Sequence, residues 1–456
     1  VAPTYVAEAS NYNPAVAMRK DAGLAQLNVM NGHDEANTGV SNFFKVKAMA
    51  GETVNTGYNV MGQFSDGTLS ATSTNLGHRG PYVNNATSAG MYHFNVASDA
   101  SNLLDPSQDN ILAFLYTTGV ASTYPYYVNG KTIAETSHTP PNNGNNFHLN
   151  TDTDGGDDGG PYEYQEVIVY EQQLSNADRL KVETYLAVKY GVSIDQTVAT
   201  NYVDTDGNVI WNGTTNAGYG TGIAGIGRDD AEALGQVKSK SQTREGILYV
   251  QADGEGTNAA NTFVDIADKE YFIWGNDGNA ATYTTTNAPT NYSKVTRTWK
   301  LQETGDVGAC TFAFDVADAD FDVPALTGSA TNYVLMYSDN VNLGAGANGI
   351  ITLYDDGTNG DLVGGDNVWS ASGVDLANAT FFSIGYQSAF TATLGSGTST
   401  AGVLCYGSTK QPIYEFTVAI DAGTGDRTFN GLSFTTGGTY AAADVDQFEL
   451  WYNTSN

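Results

Sequence analysis

The sequence predicts an all-β protein made of antiparallel sandwiches in series, with one notable helix at about 175–190. Three observations predict it. Short apolar or alternating runs recur along the chain, and 52 Gly with frequent Thr, Asn and Ser separate them as turn residues do. One segment alone carries helical spacing with a start and a stop signal. The length of 456 residues is enough for about three domains of roughly 150 residues each.

That helical segment organises the rest. Glu166-Val167-Ile168-Val169-Tyr170 is apolar enough for a buried strand. Ser175 stands where an N-cap belongs, with Leu174 before it and Asp178 three residues on as a capping-box partner. Val182, Tyr185, Leu186 and Lys189/Tyr190 recur at helical spacing, and Gly191 follows as the stop. A lone amphipathic helix in a β-rich chain must pack on a sheet or between two domains.

Strand, turn and helix together, YQEVIVYEQQLSNADRLKVETYLAVKYGVSID, resemble the closing segment of LamG-like (concanavalin A-like) jelly-roll domains in large surface proteins of Bacteroidetes. The resemblance implies secretion by the type IX system, as in gliding flavobacteria, and a role as an adhesin or surface filament.

The predicted domains follow in order. Residues 1–195 are a LamG-like jelly roll. PTYVAEASNYNPAVAM is similar to the middle of such a domain, so the family's first strands are expected to be missing and the sequence to be an internal piece of something longer. Alternating segments at 43–48, 58–64, 91–96 and 111–116 supply strands, and Asn129-Gly130 within YVNGK marks a hairpin turn. Residues 196–387 are a second β domain of unknown function. Its hairpin turns at Asp206-Gly207, and its segments AGIGRDD, FIWGNDG and RTWKLQETGDVG resemble the β domain that follows the jelly roll in the same surface proteins. Residues 388–456 begin an Ig-like β domain, with TATLGSGTSTAG as its linker and alternation in QPIYEFTVAI and DQFELWY.

Composition narrows function. Lys+Arg is 19 against Asp+Glu 50, a formal charge of −31. Such a surface repels phosphate backbones and anionic lipid, and favours cations. A hydrophobic content of 41% with 28 Tyr and 18 Phe builds cores rather than a disordered acidic tail. Two cysteines, Cys310 and Cys405, are too few for a disulfide framework and read as small buried side chains. No apolar run is long enough to span a membrane, and the N-terminus does not read as a signal peptide.

The best place for chemistry is NTDTDGGDDGGPYEY at 150–164. Asp152, Asp154, Asp157 and Asp158 crowd a Gly-rich loop, and flexible acidic loops suit Ca2+ with its six to eight oxygen ligands. A solvated acidic loop is the competing reading, and the spacing is not that of an EF-hand. Asp204-Thr205-Asp206-Gly207-Asn208 imitates the start of a calcium loop but reads better as a turn. Tyr124, Tyr126, Tyr127, Tyr162 and Tyr164 lie near the acidic loop in sequence. Tyr126 and Tyr162 are the expected ligand-binding rings for sugars, against the alternative that these side chains fill the core. Gly220, Gly222, Gly225 and Gly227 do not open a helix, so they do not read as a dinucleotide turn. Arg228 and Asp229 read as a pair organising a turn. Glu163, Glu166 and Glu171 surround the family strand, yet the strand signature of jelly-roll glycanases is absent. No histidine spacing suits a metal and no nucleophile elbow is present.

The expectation is therefore a non-catalytic segment of a large bacterial cell-surface adhesin or extracellular filament. Its partners would be glycans or surfaces and neighbouring domains of the same long chain or other copies of it. The alternative is a carbohydrate-binding module of a secreted polysaccharide-degrading enzyme.

Overall fold

The computed structural model describes residues 3–18, 27–31, 39–49, 59–60, 62–65, 79–85, 88–93, 96–101, 108–117, 120, 122, 124–133, 146–150, 160–242, 247–260, 263–318, 332–355, 367–387, 392–394, 397–399, 414–415 and 418–420. The described residues are mostly β, in antiparallel sheets, with one long helix. Two compact units divide the chain, Val1–Phe390 and Thr391–Asn456. In the second unit, Ala392–Leu394 pairs Val418–Ile420 and Thr398–Ser399 pairs Tyr414–Glu415.

The first unit opens with a seven-stranded antiparallel sheet, ordered Thr4–Ser10, Asn13–Met18, Tyr162–Tyr170, Gly39–Ala48, Asn110–Thr117, Tyr126–Val128, Lys131–Ile133. Its middle strand, Gly39–Ala48, is buried along nearly its whole length. Successive side chains leave a strand on opposite faces, and here both faces are covered. Phe44 and Val46 join Leu112 and Phe114 in one cluster. Phe43 joins Ile111, Ala113 and Leu115 in another. The last two strands turn at Asn129-Gly130, both at positive φ (48° and 76°), as the Asn-Gly pair predicts.

Strand Tyr162–Tyr170 carries a bulge, with its register to Gly39–Ala48 shifting between Tyr164 and Glu166. The side chains sharing a face change parity there. Tyr162 and Tyr164 sit with Val167 and Val169 in one cluster, whereas Ile168 and Tyr170 pack in the other.

Helix α1 spans Asn176–Tyr190. Ser175 caps it, its hydroxyl oxygen accepting from the Asp178 N–H at 3.1 Å, while the Asp178 carboxylate accepts from that hydroxyl at 2.7 Å. Gly191 ends it at φ 63°, where a Cβ would stand 2.1 Å from the Lys240 carbonyl oxygen. Its apolar face meets two partners at once. Leu186, Ala187, Val188 and Tyr190 share one core with Phe43, Ile111 and Leu115 of the first sheet, and with Trp211, Ile223 and Ile273 from beyond the helix.

Ile223 and Ile273 belong to a true sandwich. A nine-stranded sheet, running from Leu234–Gln236 through Thr221–Asp229, Tyr271–Asn276, Trp299–Thr304 and Phe381–Gln387, faces a five-stranded sheet built on Leu248–Ala252, Cys310–Asp315 and Val368–Val374. Ile226, Phe272, Trp274, Trp299, Leu301, Phe382 and Ile384 of the first meet Leu248, Val250, Cys310, Phe312 and Phe314 of the second. Trp299 stacks on Phe382, with centroids 6.0 Å apart and planes 13° apart. Cys310 is fully buried, and burial pushes its thiol up. Cys405 lies outside the described residues. Among the described residues no helix is long and apolar enough to cross a membrane.

Candidate functional site

The acidic residues Asp152, Asp154, Asp157 and Asp158 lie outside the described residues. The stems of their loop are described, and they close on each other. The Asn150 side-chain oxygen accepts from the Gly160 N–H at 2.9 Å. A Cβ on Gly160 would fall 2.2 Å from the Tyr162 ring. Among the described residues no group of three or more His, Cys, Asp or Glu is placed to hold a metal ion.

Tyr126 and Tyr162 are described, and both are core residues, 1% and 0% exposed. Tyr126 stacks on Phe114 at 4.4 Å, and Tyr162 meets Tyr164 edge-on at 6.1 Å. Neither offers an open ring face to a sugar. Their aromatic spacing in sequence was that of a half-buried strand, and both faces of the sheet are covered. The exposed large aromatics among the described residues are Tyr5 (69%) and Tyr354 (66%).

Several polar groups gather on and around α1. Glu166 is one of them. Its carboxylate accepts from Lys189 Nζ at 2.8 Å, from the Tyr185 hydroxyl at 2.8 Å and from the Tyr190 hydroxyl at 3.0 Å. Burial first, and then the Glu166 charge, push both phenols up, so they stay protonated donors. That is the reverse of an activated tyrosine nucleophile. Nearer the helix start, Glu183 is 1% exposed and pairs with Arg179. The Arg179 guanidinium lies 3.8 Å from the Tyr127 ring centroid. Burial pushes the Glu183 carboxyl up to about 7, against the pull of Arg179.

At the end of strand Thr221–Asp229 stands Asp229, 0% exposed. It accepts from Lys269 at 2.6 Å, from the Thr205 N–H and hydroxyl at 3.1 and 2.8 Å, from the Tyr271 hydroxyl at 3.1 Å and from the Ala231 N–H at 3.1 Å. Burial works against its charge, but Lys269 and Thr205 outweigh it and hold the carboxyl below its ordinary range. The expected Arg228–Asp229 pair is corrected here. Neighbours on a strand face opposite ways, and Arg228 instead forks onto Asp230 at 2.7 and 2.9 Å. Glu232, close by, is pushed up to about 8 by burial and then by the Asp229 charge.

The turn at Asp206-Gly207 forms as expected, Gly207 at φ 89°. Asp204 is used inside it, accepting from the Asn208 N–H at 2.8 Å and side-chain amide at 3.0 Å. Gly222, Gly225 and Gly227 of GTGIAGIGRDD lie in strand Thr221–Asp229, and Gly220 directly precedes it. A Cβ on Gly225 would be 2.1 Å from Ile273 Cδ1, so glycine here permits close strand packing.

A third polar layer ties the N-terminal hairpin to the helix end. Asn11 and Asn13 side-chain amides donate to the Lys189 carbonyl at 3.1 and 2.8 Å, and Asn11 also to Ser239 Oγ at 2.9 Å. Gln236 and Asn258 donate in return to the Asn11 carbonyl, each at 3.2 Å. Nothing in the local sequence signals these long-range amide contacts.

Residues 178–373 match a family described as a domain of unknown function, DUF8202. The match starts inside α1. No curated protein matches the chain. Similar solved structures include the Trypanosoma rangeli sialidase, at 11% identity and TM-score 0.26, covering 38% of this chain and 30% of that one. A carbohydrate esterase of the Shiga toxin-encoding bacteriophage phi24B is 15% identical at TM-score 0.26, over 37% of this chain and 85% of that one. The receptor binding domain of botulinum neurotoxin C/D mosaic serotype is 9% identical at TM-score 0.30, over 68% and 66%. The chain spans under a third of the sialidase, and at these scores no chemistry transfers.

Proposed function

We propose that this chain is a non-catalytic segment of a large bacterial cell-surface adhesin or extracellular filament. The observation that carries the reading is the junction around α1. Glu166, Glu183 and Asp229 each hold fixed partners within the fold, and one apolar core runs from the first sheet through the helix into the sandwich. Such a block passes tension between its ends without a hinge. The acidic loop at 152–158 is the place for Ca2+, and glycans or surfaces are the partners. The extracellular setting and the type IX route rest on the resemblance of the strand–helix segment. A second reading, a carbohydrate-binding module of a secreted polysaccharide-degrading enzyme, draws on the open rings of Tyr5 and Tyr354.

Beads coated with the full chain, held under flow on glycan and abiotic surfaces, test this alongside incubation with polysaccharides. The expected result is retention of beads with no release of reducing ends. Retention on glycans alone, lost in Tyr5→Ala, would favour the second reading. Cleavage that disappears in Glu166→Gln would overturn both.

A further inference from the structure

Deep in the first sheet lies a charged pair that the junction does not use. Lys45 and Asp109 have side chains 0% and 2% exposed, and they are in direct contact. Lys45 sits mid-strand in Gly39–Ala48, and Asp109 immediately precedes the neighbouring strand Asn110–Thr117. Lys47 Nζ reaches the second oxygen, Asp109 Oδ2, at 3.3 Å. Glu163 stands opposite Lys47 on the other neighbouring strand. The Tyr190 ring lies over the Lys45 amine at 5.2 Å to the centroid. Burial drives Lys45 towards the neutral amine and pushes the Glu163 carboxyl up, with Lys47, Asp109 and Lys45 all acting on it. A buried ion pair gains little in stability over an apolar pair, so this one invites another use.

We propose that Lys45 and Asp109 condense to an intramolecular isopeptide bond, with Glu163 as the proton carrier. The ammonium of Lys45 passes one proton to the Glu163 carboxylate. The freed amine attacks Cγ of Asp109. Negative charge gathers on Oδ2, where the Lys47 ammonium holds it. Glu163 gives its proton to Oδ1, takes a second from the attacking nitrogen and delivers that too. Oδ1 leaves as water, the C–N bond remains, and Glu163 returns to a carboxylate. Ammonium plus carboxylate have become amide plus water, with no other reactant. The bond would close the chain between residues 45 and 109 and fix two central strands covalently.

Intact mass of the full chain, denatured, tests this directly. The expected mass is that of the sequence less one water, and digestion should yield one linked peptide pair joined at Lys45 and Asp109. Glu163→Gln should fold, by its circular dichroism, and show the full sequence mass. A wild-type chain at full mass overturns the proposal. So does a water loss that maps to a succinimide at an Asp-Gly step such as Asp206-Gly207, or a linked pair that persists undiminished in Glu163→Gln.

Discussion

The interior of the sandwich and the junction around α1 both bury large side chains, yet they are held by different forces. Between the nine- and five-stranded sheets the cluster is made of aliphatic and aromatic side chains and one thiol. At the junction, Asp229, Glu183, Asn11 and Gln236 are buried at 2% exposure or less, each among directional partners. Apolar burial is strong but indifferent to small rotations, whereas a buried carboxylate with several donors tolerates one geometry. The difference teaches a division of labour: the sandwich supplies stability, and the junction fixes how the first sheet sits on it.

The largest break should come from the sandwich. Trp299→Ala removes a ring fully buried between Phe382 and Phe314 and should cost about 3–5 kcal/mol, read as a fall in the denaturant midpoint with little change in slope. The junction should show itself through pH. The folded carboxyl of Glu183, at about 7, lies above the ordinary value of an unfolded Glu. Folding therefore takes up a proton between those two values. The stability this gives is complete below the unfolded value and is lost as pH rises through the folded one. Across pH 4.5 to 8 the loss should be on the order of 2–3 kcal/mol. Glu183→Gln should flatten that part of the profile in denaturation series at several pH values; an unchanged slope would move the titration elsewhere. The smallest effect sharpens the contrast. Ser175→Ala removes only the exposed cap of α1 and should cost about 1 kcal/mol, visible in the melting temperature but not in the pH slope.

Local chemistry made part of this legible in the sequence. Ser175 and Gly191 bound α1 because caps act within a turn, and Asn129-Gly130 and Asp206-Gly207 turn because few other residues accept those backbone angles. The all-β class followed from the same punctuation. What sequence could not give is what lies across space. FFKVKA at 43–48 reads as a strand with a wet face, but α1 and Trp211 cover that face and bury Lys45. Tyr126 and Tyr162 cluster with the acidic loop in sequence and end in the core. Arg228 sits beside Asp229 and pairs with Asp230, because a strand sends neighbours apart. The acidic loop, at 152–158, lies outside the described residues.

The extra residue at Gln165 has a consequence for how this molecule can vary. It is slack in a spatial reading frame. Removing it would leave Glu166 opposite Lys45 and Val167 opposite Phe44, the pairs already made, so the strand would close into plain alternation with each side chain on its present face. A single-codon deletion is therefore tolerated at this one position, whereas each further residue lost from the strand would shift the faces by one and take Glu166 from Lys189 and both phenols.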